Sequence, residues 1–168
     1  KNVARKFAEV EIAPRIEEME KTRRTPGDLI KKMRDLNFYG IQYPEKYGGV
    51  GSSFLEYCMI LEEISRVYCS IGGHIAVNSL CTGTIYEFGT EAQRKEYLPD
   101  LICGGSVGSF AFTEPDTGSD PRAIRTTALR EENEWVINGV KNFITNAGDA
   151  EIAIVLAVTD QEKRTRGG

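Results

Sequence analysis

The sequence has few residues of the kind that bind metals tightly. It contains four cysteines and one histidine, and no two cysteines form a Cys-x-x-Cys pair. A tetrahedral zinc site needs several such ligands close together, so the sequence predicts no metal site. A disulfide framework is typical of much smaller secreted domains, and we therefore expect four reduced thiols, most of them buried.

A strongly basic surface is also lacking. The chain of 168 residues has 21 lysines and arginines against 25 aspartates and glutamates, which gives a net charge of −4 and a pI near 5.2. The basic residues are spread along the whole length. Neither nucleic acid nor an anionic membrane surface is therefore an expected partner.

The sequence shows no apolar run suited to a bilayer and no recognisable signal peptide. The longest stretch without a charged residue is 67–86, but it includes Gly72, Gly73, His74 and Asn78. This stretch predicts a buried helix rather than a membrane span. A composition that is 40% hydrophobic and 27% charged is typical of a folded globular protein with a substantial core.

Apolar residues at helical spacing predict helices through the first two thirds of the chain. The predicted helices are 2–21, 26–36, 53–68, 71–88 and 90–99. Ser53 and Glu56 form a capping box, Thr90 is a second N-cap, and Gly89 and Pro99 are the expected stops. The glycine-rich segment 43–51 predicts a loop.

Strand-forming residues and turn signals dominate the last third of the chain. The predicted strands are 106–112, 125–130, 134–140 and 152–158, with turns at 132–133 and 138–139. Helices followed by strands favour an α+β fold: an N-terminal all-α helical bundle at 1–105 and an antiparallel β-domain at 106–168. Four strands leave edges and a core face uncovered, so we expect the β-domain to be incomplete.

The most unusual local sequence is 110–120, where a hydrophobic strand enters a turn rich in hydroxyl and carboxylate side chains. Such a turn can bind an anion through backbone N–H groups, with Ser119 as a further donor, although the same residue types also form ordinary loops. Asp116-Thr117-Gly118 matches the aspartic proteases but has no second copy. Glu114, Asp116 and Asp120 lack the spacing of a calcium-binding loop.

A second segment, 138–148, places the polar pair Thr145-Asn146 after a predicted strand. Together the two segments resemble the acyl-CoA dehydrogenase family. That family shows Thr-Glu-Pro, two variable residues and Gly-Ser-Asp, which stand here at 113–120. It also shows Asn-Gly, a basic stretch, an aromatic residue and Ile-Thr-Asn, which stand here at 138–146. The segments 43–49 and 88–98 are similar as well, so the resemblance covers essentially the whole chain.

The resemblance implies FAD as the cofactor, bound between a middle β-domain and a C-terminal helical domain, in a homo-oligomer that is usually a tetramer. The C-terminal domain is expected to be absent from this chain. The implied cofactor-binding residues are Phe110, Ala111, Phe112, Thr113, Gly118, Ser119, Phe143, Ile144 and Thr145. The implied substrate-binding residues are Ser119, Gly72, Ala76 and Leu80.

Two residues depart from the family pattern. Phe143 stands where many members have tryptophan, which keeps an aromatic wall but removes the indole donor. Phe112 is bulkier than the small aliphatic residue that is common at its position. Neither departure excludes a flavin.

The implied reaction is α,β-dehydrogenation of a saturated acyl-CoA to the trans-2-enoyl-CoA, with electrons passed to an electron-transferring flavoprotein. In this family the glutamate base lies in the C-terminal domain, so we expect no catalytic residue in this chain and a structural role for Glu114. An acyl-CoA oxidase or flavin monooxygenase of the same fold, or a non-catalytic module, remains an alternative. The resemblance implies a bacterial cytoplasm or the mitochondrial matrix.

Overall fold

The computed structural model describes residues 1–103 and 105–163, and within these ranges six α-helices precede four short strands. The helices are α1 (Asn2–Phe7), α2 (Ile16–Thr22), α3 (Gly27–Asp35), α4 (Phe54–Val67), α5 (Cys69–Phe88) and α6 (Glu91–Ile102). The strands are β1 (Gly108–Ala111), β2 (Thr127–Glu131), β3 (Glu134–Asn138) and β4 (Ile152–Val155). The predicted α+β class is confirmed. Residues 104 and 164–168, which the predicted domain division includes, lie outside the described residues.

The first predicted helix is interrupted. Between α1 and α2 the chain forms a π-helical turn at Ala8–Ile12 and a 3₁₀ turn at Ala13–Arg15. Pro14 has no N–H group and cannot continue the α-helical hydrogen bonds, so the helix changes its winding beside it. The prediction of one continuous helix at 2–21 is therefore wrong, although Ile12 still packs in the core without exposure.

The start of α4 follows the predicted capping box. The Ser53 hydroxyl accepts from the Glu56 N–H at 3.2 Å, and the Glu56 carboxylate accepts from the Ser53 N–H at 3.1 Å. These two bonds satisfy N–H groups that have no partner inside the helix.

The end of α6 differs from the prediction, because the helix passes through Pro99 and ends at Ile102. Leu98, Leu101 and Ile102 are all almost completely buried. Burying a large aliphatic side chain contributes about 1.5–3 kcal/mol, and together the three outweigh the local cost of the proline.

Helix α5 lies at the centre of the molecule and packs against α4, α6, β1 and β4. It contains most of the uncharged stretch at 67–86, and its buried side chains include Ile71, Ile75 and Ile85. The prediction of a buried helix is confirmed. Among the described residues, no helix combines the length and the apolar character needed to cross a bilayer.

The cysteines are only partly as predicted. All four thiols are free, but Cys81 alone is buried, while Cys58, Cys69 and Cys103 are exposed. The expectation that most of the thiols are buried is therefore wrong.

The strands form two small sheets. β2 and β3 make an antiparallel hairpin, whereas β1 and β4 pair in parallel, with Gly108 opposite Ile152. The two sheets are linked where the Ala128 N–H donates to the Val158 carbonyl at 3.0 Å. The prediction of an antiparallel β-domain holds for β2 and β3 but is wrong for β1 and β4. The sequence does not reveal the parallel pair because its strands are separated by a long crossover, and parallel pairing has no turn signal.

Candidate functional site

The two sequence motifs lie side by side in the structure. The Lys141 ammonium donates to the Phe112 carbonyl and to the Glu114 carboxylate, at 2.9 Å in both cases. The Asn142 N–H donates to the Thr113 carbonyl, also at 2.9 Å. The strand end at 110–113 and the turn at 143–145 are thereby connected through a few adjacent hydrogen bonds.

Glu114 is the buried centre of this connection. Its side chain is only 4% exposed, and it accepts from the N–H groups of Arg125 and Thr126 at 2.7 and 3.0 Å, besides Lys141. Burial raises the pKa of the carboxyl, but the bonds from Thr126, Lys141 and Arg125 outweigh burial and bring the pKa down to about 2. Because both oxygens are occupied, the geometry gives Glu114 a structural task.

The turn after Glu114 separates its carboxylates instead of gathering them. Asp116 pairs with Arg125 at 2.8 Å, and Asp120 pairs with Arg122 at 2.9 Å, while Glu114 faces Lys141. Within residues 1–103 and 105–163, no three potential metal ligands form a cluster. The turn therefore offers neither a calcium site nor the close pair of carboxylates that an aspartic protease needs.

Aromatic rings and free hydroxyl groups mark the surface beside this connection. The Phe110 and Phe112 rings are nearly parallel, with centroids 6.5 Å apart. The Phe143 side chain is 92% exposed on a backbone with a φ of 56°. A large aromatic side chain held open in a left-handed conformation is a feature that a planar ligand could cover.

Three hydroxyl groups of the two motifs can donate to a ligand. The Thr113, Ser119 and Thr145 side chains make no hydrogen bond to another described residue. Gly118 has open space around its Cα, so its backbone can be approached closely. The rings and donors together fit a flat, polar-edged group such as a flavin.

Two predicted cofactor residues point away from this surface or lie at its margin. Ala111 is 7% exposed, and its carbonyl accepts from the Leu156 N–H at 3.1 Å within the sheet. Ile144 is half-buried, and its carbonyl accepts from the Ala147 N–H at 3.2 Å. Both residues shape the backbone that carries Phe110, Phe112 and Thr145.

The predicted substrate residues divide among three places. Ala76 and Leu80 line a cavity of about 570 Å³ between α5, the start of α4 and the loop before it. Gly72 instead lies where α5 crosses α4, because a Cβ atom there would overlap the Ser65 side chain. Ser119 lies in the turn of the β-domain, so the structure brings only Ala76 and Leu80 together.

The cavity has aromatic walls and a few polar groups. Tyr43, Tyr57 and Tyr86 contribute rings, and the Tyr43 hydroxyl donates to the Ser79 carbonyl at 3.0 Å. Phe54 lies at the edge and is 66% exposed. Such a mainly apolar cavity is suited to a hydrocarbon chain.

The sequence predicted no site role for Asn146, but in the structure its side chain connects His74 in α5 with Gly108 in β1. Asn146 has a φ of 67°, and its side-chain amide donates to the His74 and Gly108 carbonyls at 3.0 and 3.1 Å. An asparagine directly after a predicted strand was the available signal, since asparagine tolerates left-handed backbone better than most residues. His74 has partners on both ring nitrogens, so both of its polar atoms are satisfied.

We expect the stability of the protein to decrease in mild acid because of His74. Burial lowers the pKa of its imidazole below the ordinary value near 6.5 and outweighs the hydrogen bond with Asn146 and the charge of Asp149, which both raise this pKa, while the charge of Arg34 lowers it further. Between the folded pKa and 6.5, the unfolded chain binds a proton that the folded chain excludes. The stabilisation is thus complete above about pH 6.5 and falls below it, by at most about 1.4 kcal/mol per pH unit.

Urea unfolding of the complete protein at about pH 7.5 and pH 5.5 measures this effect. His74→Asn serves as the matched variant, because asparagine does not titrate. The wild-type protein is expected to lose more stability than the variant over this interval. Equal losses of stability in the two proteins would show that His74 does not cause the decrease in acid.

Comparison with known proteins places this geometry in a family. A model of the acyl-CoA dehydrogenase N-terminal domain matches residues 1–105, and a model of the acyl-CoA dehydrogenase middle domain matches residues 109–168. An acyl-CoA dehydrogenase of Bacillus subtilis (strain 168) is 42% identical over 168 residues, which cover 99% of this chain and 44% of that protein.

Solved structures give the same result. A chain in the structure of the electron transferring flavoprotein of Acidaminococcus fermentans has a TM-score of 0.93 at 40% identity, over 99% of this chain and 44% of that chain. A glutaryl-CoA dehydrogenase of Mycobacterium smegmatis, in complex with FADH2, has a TM-score of 0.88 at 32% identity, over 94% of this chain and 41% of that chain. The chain spans less than half the length of these relatives. On the family models and on this shared fold, the chain belongs to the acyl-CoA dehydrogenase family.

Proposed function

We propose that the complete protein is an FAD-dependent acyl-CoA dehydrogenase, and that this chain supplies the flavin-facing surface and part of the acyl-binding cavity. The observation that carries the proposal is the pair of hydrogen bonds from Lys141 to Phe112 and Glu114. It joins the two family motifs, whose aromatic rings and free hydroxyl groups would then form one exposed surface. The division into a helical unit at 1–105 and a β-unit at 106–168 is part of this proposal.

The residues of the exposed surface would bind the cofactor in distinct ways. Phe143 would cover one part of the flavin ring, with Phe110 packed beside it. The Thr113 hydroxyl would donate to the pyrimidine edge, and the Thr145 hydroxyl would lie near N5. Bound FAD would supply the acceptor for the hydride that leaves the β-carbon. Donors at the ring edge matter because they stabilise the negative charge that reduction places there.

The cavity beside α5 would bind the acyl chain of a coenzyme A thioester. Ala76 and Leu80 supply apolar surface, and the small side chain of Ala76 leaves space that a larger residue would fill. Ser119 would contact either a flavin phosphate or the pantetheine part of the thioester. None of the described carboxylates is proposed as the base, and Glu114 is excluded by its hydrogen bonds.

We expect Phe143→Ala to weaken FAD binding about tenfold, because the exposed ring loses its contact with the flavin. The stability of the protein without FAD should change little, since this ring is 92% exposed and packs against almost nothing. Fluorescence titration with FAD measures the affinity. Phe88→Ala is the matched control, because Phe88 is 85% exposed on α5 and lies outside the proposed surface. Equal FAD affinities for both variants would contradict the proposed position of the flavin.

The electron acceptor separates a dehydrogenase from an oxidase of the same fold. We propose an electron-transferring flavoprotein as the partner and a homo-oligomer, by analogy with the family, in a bacterial cytoplasm or the mitochondrial matrix. The test is to reduce the FAD-loaded protein with an acyl-CoA without oxygen and then to admit air. Slow reoxidation in air with fast reoxidation by the flavoprotein supports a dehydrogenase, and fast reoxidation by oxygen indicates an oxidase.

A further inference from the structure

Three polar residues connect the helical part of the chain with the turn that carries Thr145. We call Tyr39, His74 and Asn146 the His74 network. Only 2.8 Å separates His74 Nδ1 from Asn146 Oδ1, and 2.8 Å separates His74 Nε2 from the Tyr39 hydroxyl. Tyr39 and His74 are 3% and 5% exposed. Neither the family motifs nor the proposed reaction gives this network a task.

The hydrogen bonds determine which nitrogen of His74 carries the proton. The Asn146 amide nitrogen donates to two carbonyl oxygens, those of His74 and Gly108, so the amide cannot be turned around. Its Oδ1 therefore faces His74 Nδ1 and must accept a hydrogen bond from the Nδ1–H group. Burial lowers the pKa of the imidazole below its ordinary value near 6.5, so the ring is neutral at pH 7, and Nε2 then accepts from the Tyr39 hydroxyl. His74 is thus held in its Nδ1–H tautomer.

Asn146 connects three elements through a single side chain. It belongs to the turn that follows Thr145, and it bonds to α5 at His74 and to the start of β1 at Gly108. Gly108 is also held from α5, because its N–H donates to the Asn78 side chain at 2.8 Å. Thr145 is therefore only one peptide bond away from a residue whose position α5 and β1 jointly determine.

We infer that His74 is a positioning residue, which orients Asn146 through its Nδ1–H group and thereby sets the location of the Thr145 hydroxyl. The effect on a flavin rests on the proposed function, whereas the effect on the turn does not. Loss of the Nδ1–H donor leaves Asn146 Oδ1 unpaired in a half-buried position, which frees the turn. A side chain that restores the donor at the same position should restore the turn.

The first experiment measures backbone hydrogen exchange of residues 142–149 in the complete protein. His74→Leu keeps the size of the side chain but removes both nitrogens, and we expect exchange in this segment to become about tenfold faster. His74→Asn places an N–H donor near the position of Nδ1, and we expect exchange within about threefold of the wild type. Exchange in α5 away from His74 should be the same in both variants. Unchanged exchange in His74→Leu, or equally fast exchange in His74→Asn, overturns the inference.

A further variant keeps the inference testable if His74→Leu does not fold. Tyr39→Phe removes the donor to Nε2 but leaves the Nδ1–H group bonded to Asn146 Oδ1, so the tautomer should not change. If the turn depends on the Nδ1–H group, exchange at 142–149 in this variant should stay within about threefold of the wild type, and a tenfold increase overturns the inference. The ¹⁵N spectra of the variant and of the wild type should both show His74 in the Nδ1–H form alone. A wild type in the Nε2–H form overturns the inference.

The second experiment measures the reduction potential of bound FAD. With Thr145 displaced, His74→Leu should bind reduced FAD about tenfold less tightly relative to oxidised FAD, a shift of about 30 mV towards negative potential. His74→Asn should restore the potential. Faster exchange with an unchanged potential overturns the positioning role and leaves a purely structural network. A wild-type protein that binds no FAD refutes the proposed function, and the exchange experiment still decides whether His74 positions the turn.

Discussion

Replacing Glu114 with glutamine is expected to destabilise the complete protein by about 3–5 kcal/mol, which is the usual cost of removing one partner from a buried ion pair. Lys141, whose side chain is 11% exposed, would lose its counter-ion. The glutamine amide would also turn an N–H group towards the N–H groups of Arg125 or Thr126. Urea unfolding gives the loss of stability. FAD affinity should fall as well, because the two motifs would no longer be held together.

Two further variants show that the ion pair is the cause. Glu151→Gln makes the same chemical change at an exposed residue whose side chain has no hydrogen bond within the described parts of the chain, and it should shift stability by less than about 0.5 kcal/mol. The double variant Glu114→Gln with Lys141→Met removes the unpaired charge and should recover part of the loss. If Glu114→Gln were as stable as Glu151→Gln, the connection between the two motifs would not depend on the Glu114–Lys141 ion pair.

Replacing Ala76 with phenylalanine is expected to lower kcat/KM for an acyl-CoA about 100-fold, which lies within the range that a crowded apolar pocket can produce. The larger side chain would occupy the cavity of about 570 Å³ in which we place the acyl chain. FAD affinity should stay at the wild-type level, because the cavity and the exposed aromatic surface are formed by different residues. Steady-state kinetics with acyl-CoA thioesters of several lengths measures the effect, which should be greatest for the longest chain.

The matched control is Ala92→Phe, the same substitution at an exposed position in the first turn of α6. It should leave kcat/KM unchanged. If Ala76→Phe showed wild-type kinetics with every thioester, the acyl chain would not bind in this cavity.

Local chemistry explains why parts of the fold could be predicted from the sequence. The capping box at Ser53 depends on residues three positions apart, and both of its hydrogen bonds are present. The uncharged stretch that forms most of α5 is recognisable because a long segment without charges needs a buried place. The break beside Pro14 was missed because the helical spacing of apolar residues continues across the proline. The passage of α6 through Pro99 was missed because packing decides it. In α6, buried residues after the proline outweigh its local cost.

The candidate site was predictable to the extent that its residues belong to family motifs. The resemblance brought together 110–119 and 143–145, and the structure shows that Lys141 joins them. Gly72 was among the implied substrate-binding residues, yet it lies against Ser65, because small residues also allow two helices to approach. The His74 network joins residues 35 and 72 positions apart, and no periodicity or spacing in the sequence relates them.

We propose that the residues around Lys141 form the flavin-facing part of an acyl-CoA dehydrogenase. The most direct test is an absorbance titration of the complete, FAD-loaded protein with an acyl-CoA in the absence of oxygen. We predict that the oxidised flavin spectrum disappears in proportion to the thioester added, with formation of the trans-2-enoyl-CoA. A stoichiometrically bound FAD whose spectrum stays oxidised with acyl-CoA thioesters of every chain length would contradict the claim.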